Sequence, residues 1–141
     1  MTTNKTITIF NARYQASTRS EVYLPTVIQN VSFYESHASS ATDGVWTDDS
    51  AYKFRIPFFG CEIQDDRPYM EADAFYRSKA EGWTIRKGDF VMLKAYAGDK
   101  TSLTMTDLKA LGEKLIVVTD FADNTIRGSN AVKHWRMGGR E

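Results

Sequence analysis

Apolar and polar residues alternate one for one over several short stretches of the chain. That period of two marks an extended strand with one face in a core. Thr6-Ile7-Thr8-Ile9-Phe10 alternates strictly and stops at Asn11. Val22 and Leu24 share a face, Pro25 interrupts, and Val27, Val31 and Phe33 resume. Residues 21–36 therefore read as a second β region with a bulge, an edge or a break at the proline. Tyr52, Phe54 and Ile56 alternate with Lys53 and Arg55, and Pro57 ends the run. Trp83 and Ile85 precede Arg86-Lys87-Gly88-Asp89, and Val91 and Leu93 follow it, with Phe90 and Met92 on the opposite face. This predicts a β-hairpin over 82–94, turning where Gly88 adopts a positive φ at little cost. Leu115-Ile116-Val117-Val118 is consistent with a buried strand. Residues 131–137 read as the last strand, with Trp135 and Met137 on one face, and 138–141 as a tail.

The connections are less regular. Residues 15–19 form a polar turn. Residues 37–50 are Ser-, Ala-, Thr-, Asp- and Gly-rich around Val45-Trp46; they predict a long hairpin loop or an extension, and long loops in compact domains are often functional. Residues 60–80 are acidic and aromatic, with a short helical turn expected around 71–79. Residues 106–112 read as a short helix with Thr106 as N-cap, Asp107 at its positive end and Gly112 as its stop. The expected fold class is mainly β: a small barrel or sandwich of six to seven strands, with one short helix and long loops, in a single domain over 1–141. The βαβ alternation of a doubly wound sheet is missing.

Composition narrows the function classes. The 141 residues, 42% hydrophobic and 13% aromatic, suffice for one core. Lys+Arg and Asp+Glu balance at 18 each. The chain thus lacks the bulk positive charge of a general nucleic-acid binder, and leaves only local basic patches at 86–87 and 133–140. The single cysteine, Cys61, forms no intramolecular disulfide, which fits a reducing compartment. The first residues carry no apolar core of signal-peptide length, and no run reaches the ~18–20 apolar residues of a membrane span.

Chemistry-bearing motifs are sparse. His37 and His134 stand far apart, outside any metal-ligand spacing. Asp48-Asp49 and Asp65-Asp66 point to opposite faces in extended chain, as solvated acids do. No P-loop, Gly-x-Gly-x-x-Gly or Gly-x-Ser-x-Gly is present. Cys61, between Gly60 and Glu62, has nothing to depress its thiol pKa. The expectation is a non-enzymatic protein with no catalytic, metal or cofactor site. Partner contacts are expected instead at Trp46, Asp48, Asp49, Arg86, Lys87, His134 and Arg136. Trp46 either meets a partner, where Trp is enriched, or folds back onto the barrel end. Arg86 and Lys87, with the aromatics, also leave open a small barrel that binds single-stranded nucleic acid.

Three ordered stretches carry a resemblance: Tyr52-Lys53-Phe54-Arg55-Ile56-Pro57, Gly82-Trp83-Thr84-Ile85-Arg86-Lys87-Gly88-Asp89, and Gly128-Ser129 leading to His134-Trp135-Arg136-Met137-Gly138-Gly139. With Arg19–Thr26 and Val31-Ser32-Phe33-Tyr34, they resemble small proteins encoded among the structural genes of tailed phages and prophages. The group looks like head–tail connector proteins of the head-completion or stopper kind. The resemblance implies a small β-barrel with one or two long loops, made in the host cytoplasm and carried in the virion neck. Its partners would be further copies of itself in a ring, the portal or adaptor protein above and tail proteins below. Genomic DNA would pass through the lumen without sequence-specific binding, and no membrane is involved. No residue separates a stopper from a tail terminator or another tail component. Proteins of this class are often monomeric until their partner ring is present.

Overall fold

The computed structural model describes residues 3–42, 45–125 and 133–140; for 36–42 and 45–51 the description is of backbone alone. Seven strands and two short helices follow in chain order. They are β1 (Lys5–Gln15), β2 (Ser20–Thr42), β3 (Val45–Pro57), β4 (Glu62–Ile63), α1 (Ala72–Arg77), β5 (Phe90–Met92), α2 (Met105–Ala110), β6 (Leu115–Asn124) and β7 (His134–Arg140). A single 3-10 turn, Gln64–Asp66, follows β4.

Every ladder is antiparallel, and the sheet closes. The order runs β1–β5–β6–β7–β3–β2, and β2 pairs again with β1; β4 pairs with Ile28 and Gln29 on the edge of β2 away from β1. The protein is therefore mainly β, a ring of six strands with no free edge along the closed part. Alternation explains the inside. Ile7, Ile9, Ile28, Val31, Phe54, Ile56, Val91, Ile116, Val118, Trp135 and Met137 fill one core. A second apolar cluster, Phe10, Ala12, Tyr23, Met92, Leu103 and Leu108, packs α2 against β1, β2 and β5. Both faces of β5 are thus buried, which is why its residues are apolar without interruption.

Pro25 lies inside β2 opposite Phe10. Its carbonyl accepts from Arg67 Nη1 at 2.9 Å, so the backbone groups of this residue face away from β1. The missing N–H then costs no ladder bond. The true irregularity comes later. Between the pairs Lys5–Val31 and Ile7–Ile28, β2 holds one residue more than β1. Asn30 takes up the excess at φ 64°, and its Nδ2 donates to Gly60 O at 3.1 Å, a bulge that bends β2.

Three expectations are corrected. The 82–94 segment is not a hairpin. Only β5 is a ladder strand, paired with β1 and β6. Trp83 and Ile85 are extended and fully buried, but Trp83 only bridges Tyr69. The turn itself is present: Asp89 N donates to Arg86 O at 3.1 Å, with Gly88 at φ +94°. The 138–141 tail begins as strand, since Gly138, Gly139 and Arg140 belong to β7. A Cβ on Gly139 would lie 2.5 Å from Val117 O, so the residue that suggested a tail is the one that lets β6 approach. The helix expected at 106–112 starts earlier. Thr104 is its N-cap in a reciprocal capping box with Asp107, Thr104 Oγ1 accepting from Asp107 N at 3.2 Å.

Of the two alternatives expected for 37–50, a long loop or an extension, the structure shows the extension. Its described backbone is strand: Ser36 to Thr42 pair with Ala51 to Val45 in unbroken register. Tyr52 is the last residue of β3 that also pairs with β7. Seven residue pairs therefore continue past the ring as a two-stranded arm, about 24 Å long at ~3.4 Å per residue.

Candidate functional site

The residues expected to make contacts fall into three places. Trp46, Asp48 and Asp49 are on the arm, opposite Ala41, Ser39 and Ala38; their side chains lie outside the described part of the structure. Arg86 and Lys87 form the turn before β5. His134 and Arg136 are on β7. The structure does not bring the three together. The turn meets β6 at Val118, where Gly88 N donates to Val118 O at 2.9 Å, whereas His134 pairs with Asn124 at the far end of β6.

The turn is held from beneath. Asp89 is 1% exposed. Its carboxylate accepts from Asn11 Nδ2 at 3.0 Å and from Ala12 N at 3.2 Å. Asn11 also donates to Thr84 O at 2.7 Å and accepts from Thr84 N at 3.2 Å. Burial pushes the Asp89 carboxyl up to about 6, against the opposing pull of these donors and of Arg86. The network ties β1 to the 83–89 segment. Above it, the Arg86 guanidinium stacks over the Tyr76 ring at 4.4 Å, and Tyr76 donates to Glu21 at 2.8 Å. Arg86 is thereby engaged within its own chain, while Lys87 is exposed.

On β7 the outward residues alternate with the buried Trp135 and Met137. Arg136 stands directly across from Arg55 of β3, and Lys53 lies two residues along β3, opposite Gly138. Tyr34 of β2 pairs with Lys53 and is exposed; the Arg55 guanidinium lies 6.0 Å over its ring. Three cations and one exposed phenol thus share an outer face. Among the described residues, none of the three cations is in an ion pair, whereas Arg67–Asp65, Lys94–Glu113 and Lys100–Asp107 are paired. His134 borders the face, with its Nε2 at 3.3 Å from Asn124 Nδ2. Lys53 and Arg55 were visible in the sequence as the polar positions of a strand. What was hidden is the register that sets Arg55 against Arg136.

One end of the barrel is aromatic. Phe58 and Phe59 are 41% and 54% exposed. Phe58 rests on Trp135 at 5.4 Å between ring centroids, and Trp135 meets Trp83 at 5.0 Å and Tyr69 at 5.1 Å. Cys61 packs beside this core, and burial raises its thiol pKa. That state is the unreactive thiol. Among the described residues, no three His, Cys, Asp or Glu side chains converge as a metal site, and no helix is long and apolar enough to cross a membrane.

A family model covers residues 1–140, almost the whole chain. The chain belongs to DUF6751, a family of unknown function. No curated protein and no solved structure matches this DUF6751 chain.

Proposed function

We propose that this DUF6751 protein is a non-enzymatic structural subunit of a tailed-phage virion, a ring-forming head–tail connector of the head-completion or stopper kind. It would join the portal or adaptor to the tail, with genomic DNA passing through the lumen. The observation that carries this reading is the arm on the closed ring. A barrel without free edges is a rigid body suited to repeated placement around an axis. A two-stranded extension that leaves the ring supplies strand edges for a neighbour to engage. The resemblance of the three ordered stretches supplies the virion context.

The test removes residues 38–49 and joins the remaining strands with a short turn. The shortened protein should fold with the thermal midpoint of the full chain. Mixed with portal–adaptor complexes or tail-less capsids of its virus, the full chain should add a ring visible by electron microscopy, and the shortened chain should not. A normal ring from the shortened chain would count against the arm's role; no ring from the full chain would count against the connector. A ring at the tail end instead of the portal would make the protein a tail terminator or another tail component.

A further inference from the structure

Like charges set directly across a ladder repel each other. Arg55 and Arg136 are such a pair, Lys53 is their neighbour on the same face, and none of the three is ion-paired among the described residues. Among the described side chains, one carboxylate, Asp120, lies on this face opposite Gly138, against three cations. An opposite excess lies elsewhere on the chain. Between 62 and 73, Glu62, Asp65, Asp66, Glu71 and Asp73 face one cation, Arg67. Arg67 is already engaged by Pro25 O, Thr26 Oγ1 and Asp65. Glu62, Asp66 and Asp73 are exposed and belong to no ion pair among the described residues.

The two excesses are built on different strands, although both border β2. The acidic segment starts on β2, where Glu62 pairs with Gln29. It ends in α1 against β1, where Arg13 Nε donates to Phe75 O at 3.2 Å. The basic face belongs to β3 and β7. In the order β1–β5–β6–β7–β3–β2, β7 lies across the barrel from β1.

We infer that the β3–β7 face of one copy docks on the acidic 62–73 segment of the next copy. The chain's formal net charge is zero, and both halves of this contact lie on the same chain. The contact joins two different surfaces; head-to-tail repetition of it builds a ring where the rotation closes and an open filament where it does not. This inference rests on the ring reading and gives it a specific interface. Its electrostatic character also makes association sensitive to salt.

The experiment uses two charge-reversed proteins, K53E/R55E/R136E and E62K/D73K. Their association is measured by sedimentation velocity in low and high salt, and on portal–adaptor complexes by electron microscopy. Native protein should associate more tightly in low salt, in solution or on the portal. Each variant alone should lose association at least tenfold. An equimolar mixture should regain it, because the unaltered basic face of one meets the unaltered acidic segment of the other. Regained association also shows that both variants are folded. Rings from either variant alone that match the native ring would overturn the contact while leaving the ring reading in place. A native chain that forms no assembly in solution or on the portal would remove both. Salt-dependent binding of a single-stranded oligonucleotide, lost in the basic-face variant while copies stay separate, would overturn the contact and assign the face to nucleic acid.

Discussion

β3 is one strand with two different lives. From Tyr52 to Pro57 it is bonded to β2 on one side and to β7 on the other, and its apolar residues enter the main core. From Val45 to Ala51 its described ladder partner is β2 alone, and the sequence there is mostly small and polar. The first half is stabilised by burial and by two ladders. The second is a two-stranded ribbon, which is marginal by itself in water. Stability belongs to the ring, and the arm is free to vary without unfolding it.

The sharpest way to break the ring side of this comparison is Gly139→Val. The new side chain would enter the space of Val117 O and Ile116. We expect a loss of at least about 4 kcal/mol, read as failure to fold or a collapsed urea midpoint. Trp83→Ala, at the buried centre of the aromatic cluster, should cost about 3–5 kcal/mol in the same assay.

Asp89 gives a pH test within the ring. Its carboxyl is raised from 3.8 to about 6 in the folded chain. Well below pH 3.8 it is protonated in both states. As pH rises towards 6 the unfolded chain releases its proton first, so the folded state loses stability, by roughly 3 kcal/mol in all. The difference in unfolding free energy between native protein and Asp89→Asn should therefore change by that order between pH 4 and 7; a flat difference would contradict it. Smaller still, Thr104→Ala removes the cap of α2 and should cost about 1 kcal/mol. On the arm, Trp46→Ala should change stability by less than about 0.5 kcal/mol, while backbone amides of 36–42 and 45–51 exchange with solvent well before those of 52–57.

The same contrast explains what could be read from the sequence. Strands β1, β2 and β3 are legible because an apolar face alternates with a polar one, and β6 because Leu115-Ile116-Val117-Val118 is a continuous apolar run. Period two, however, reports an extended backbone with one buried face and says nothing of its hydrogen-bond partner. Trp83 and Ile85 alternate because both enter the core, although no ladder runs through them. The arm fails in the opposite way: it is strand without apolar alternation, since no core lies beneath it to impose one. Gly138-Gly139 looks like a tail because close approach of β6 leaves no room for a side chain there. The Arg55–Arg136 pairing depends on joining positions far apart in the chain, which local pattern does not encode.

The place of β7 has a consequence for synthesis. It is the strand that bridges β3 and β6, and it is the last ring strand that the ribosome makes. Until it emerges, β3 and β6 each present a bare edge with apolar residues behind it. A nascent chain stalled before His134 is therefore the most aggregation-prone form of this protein, and chaperone dependence should end abruptly once that strand is released.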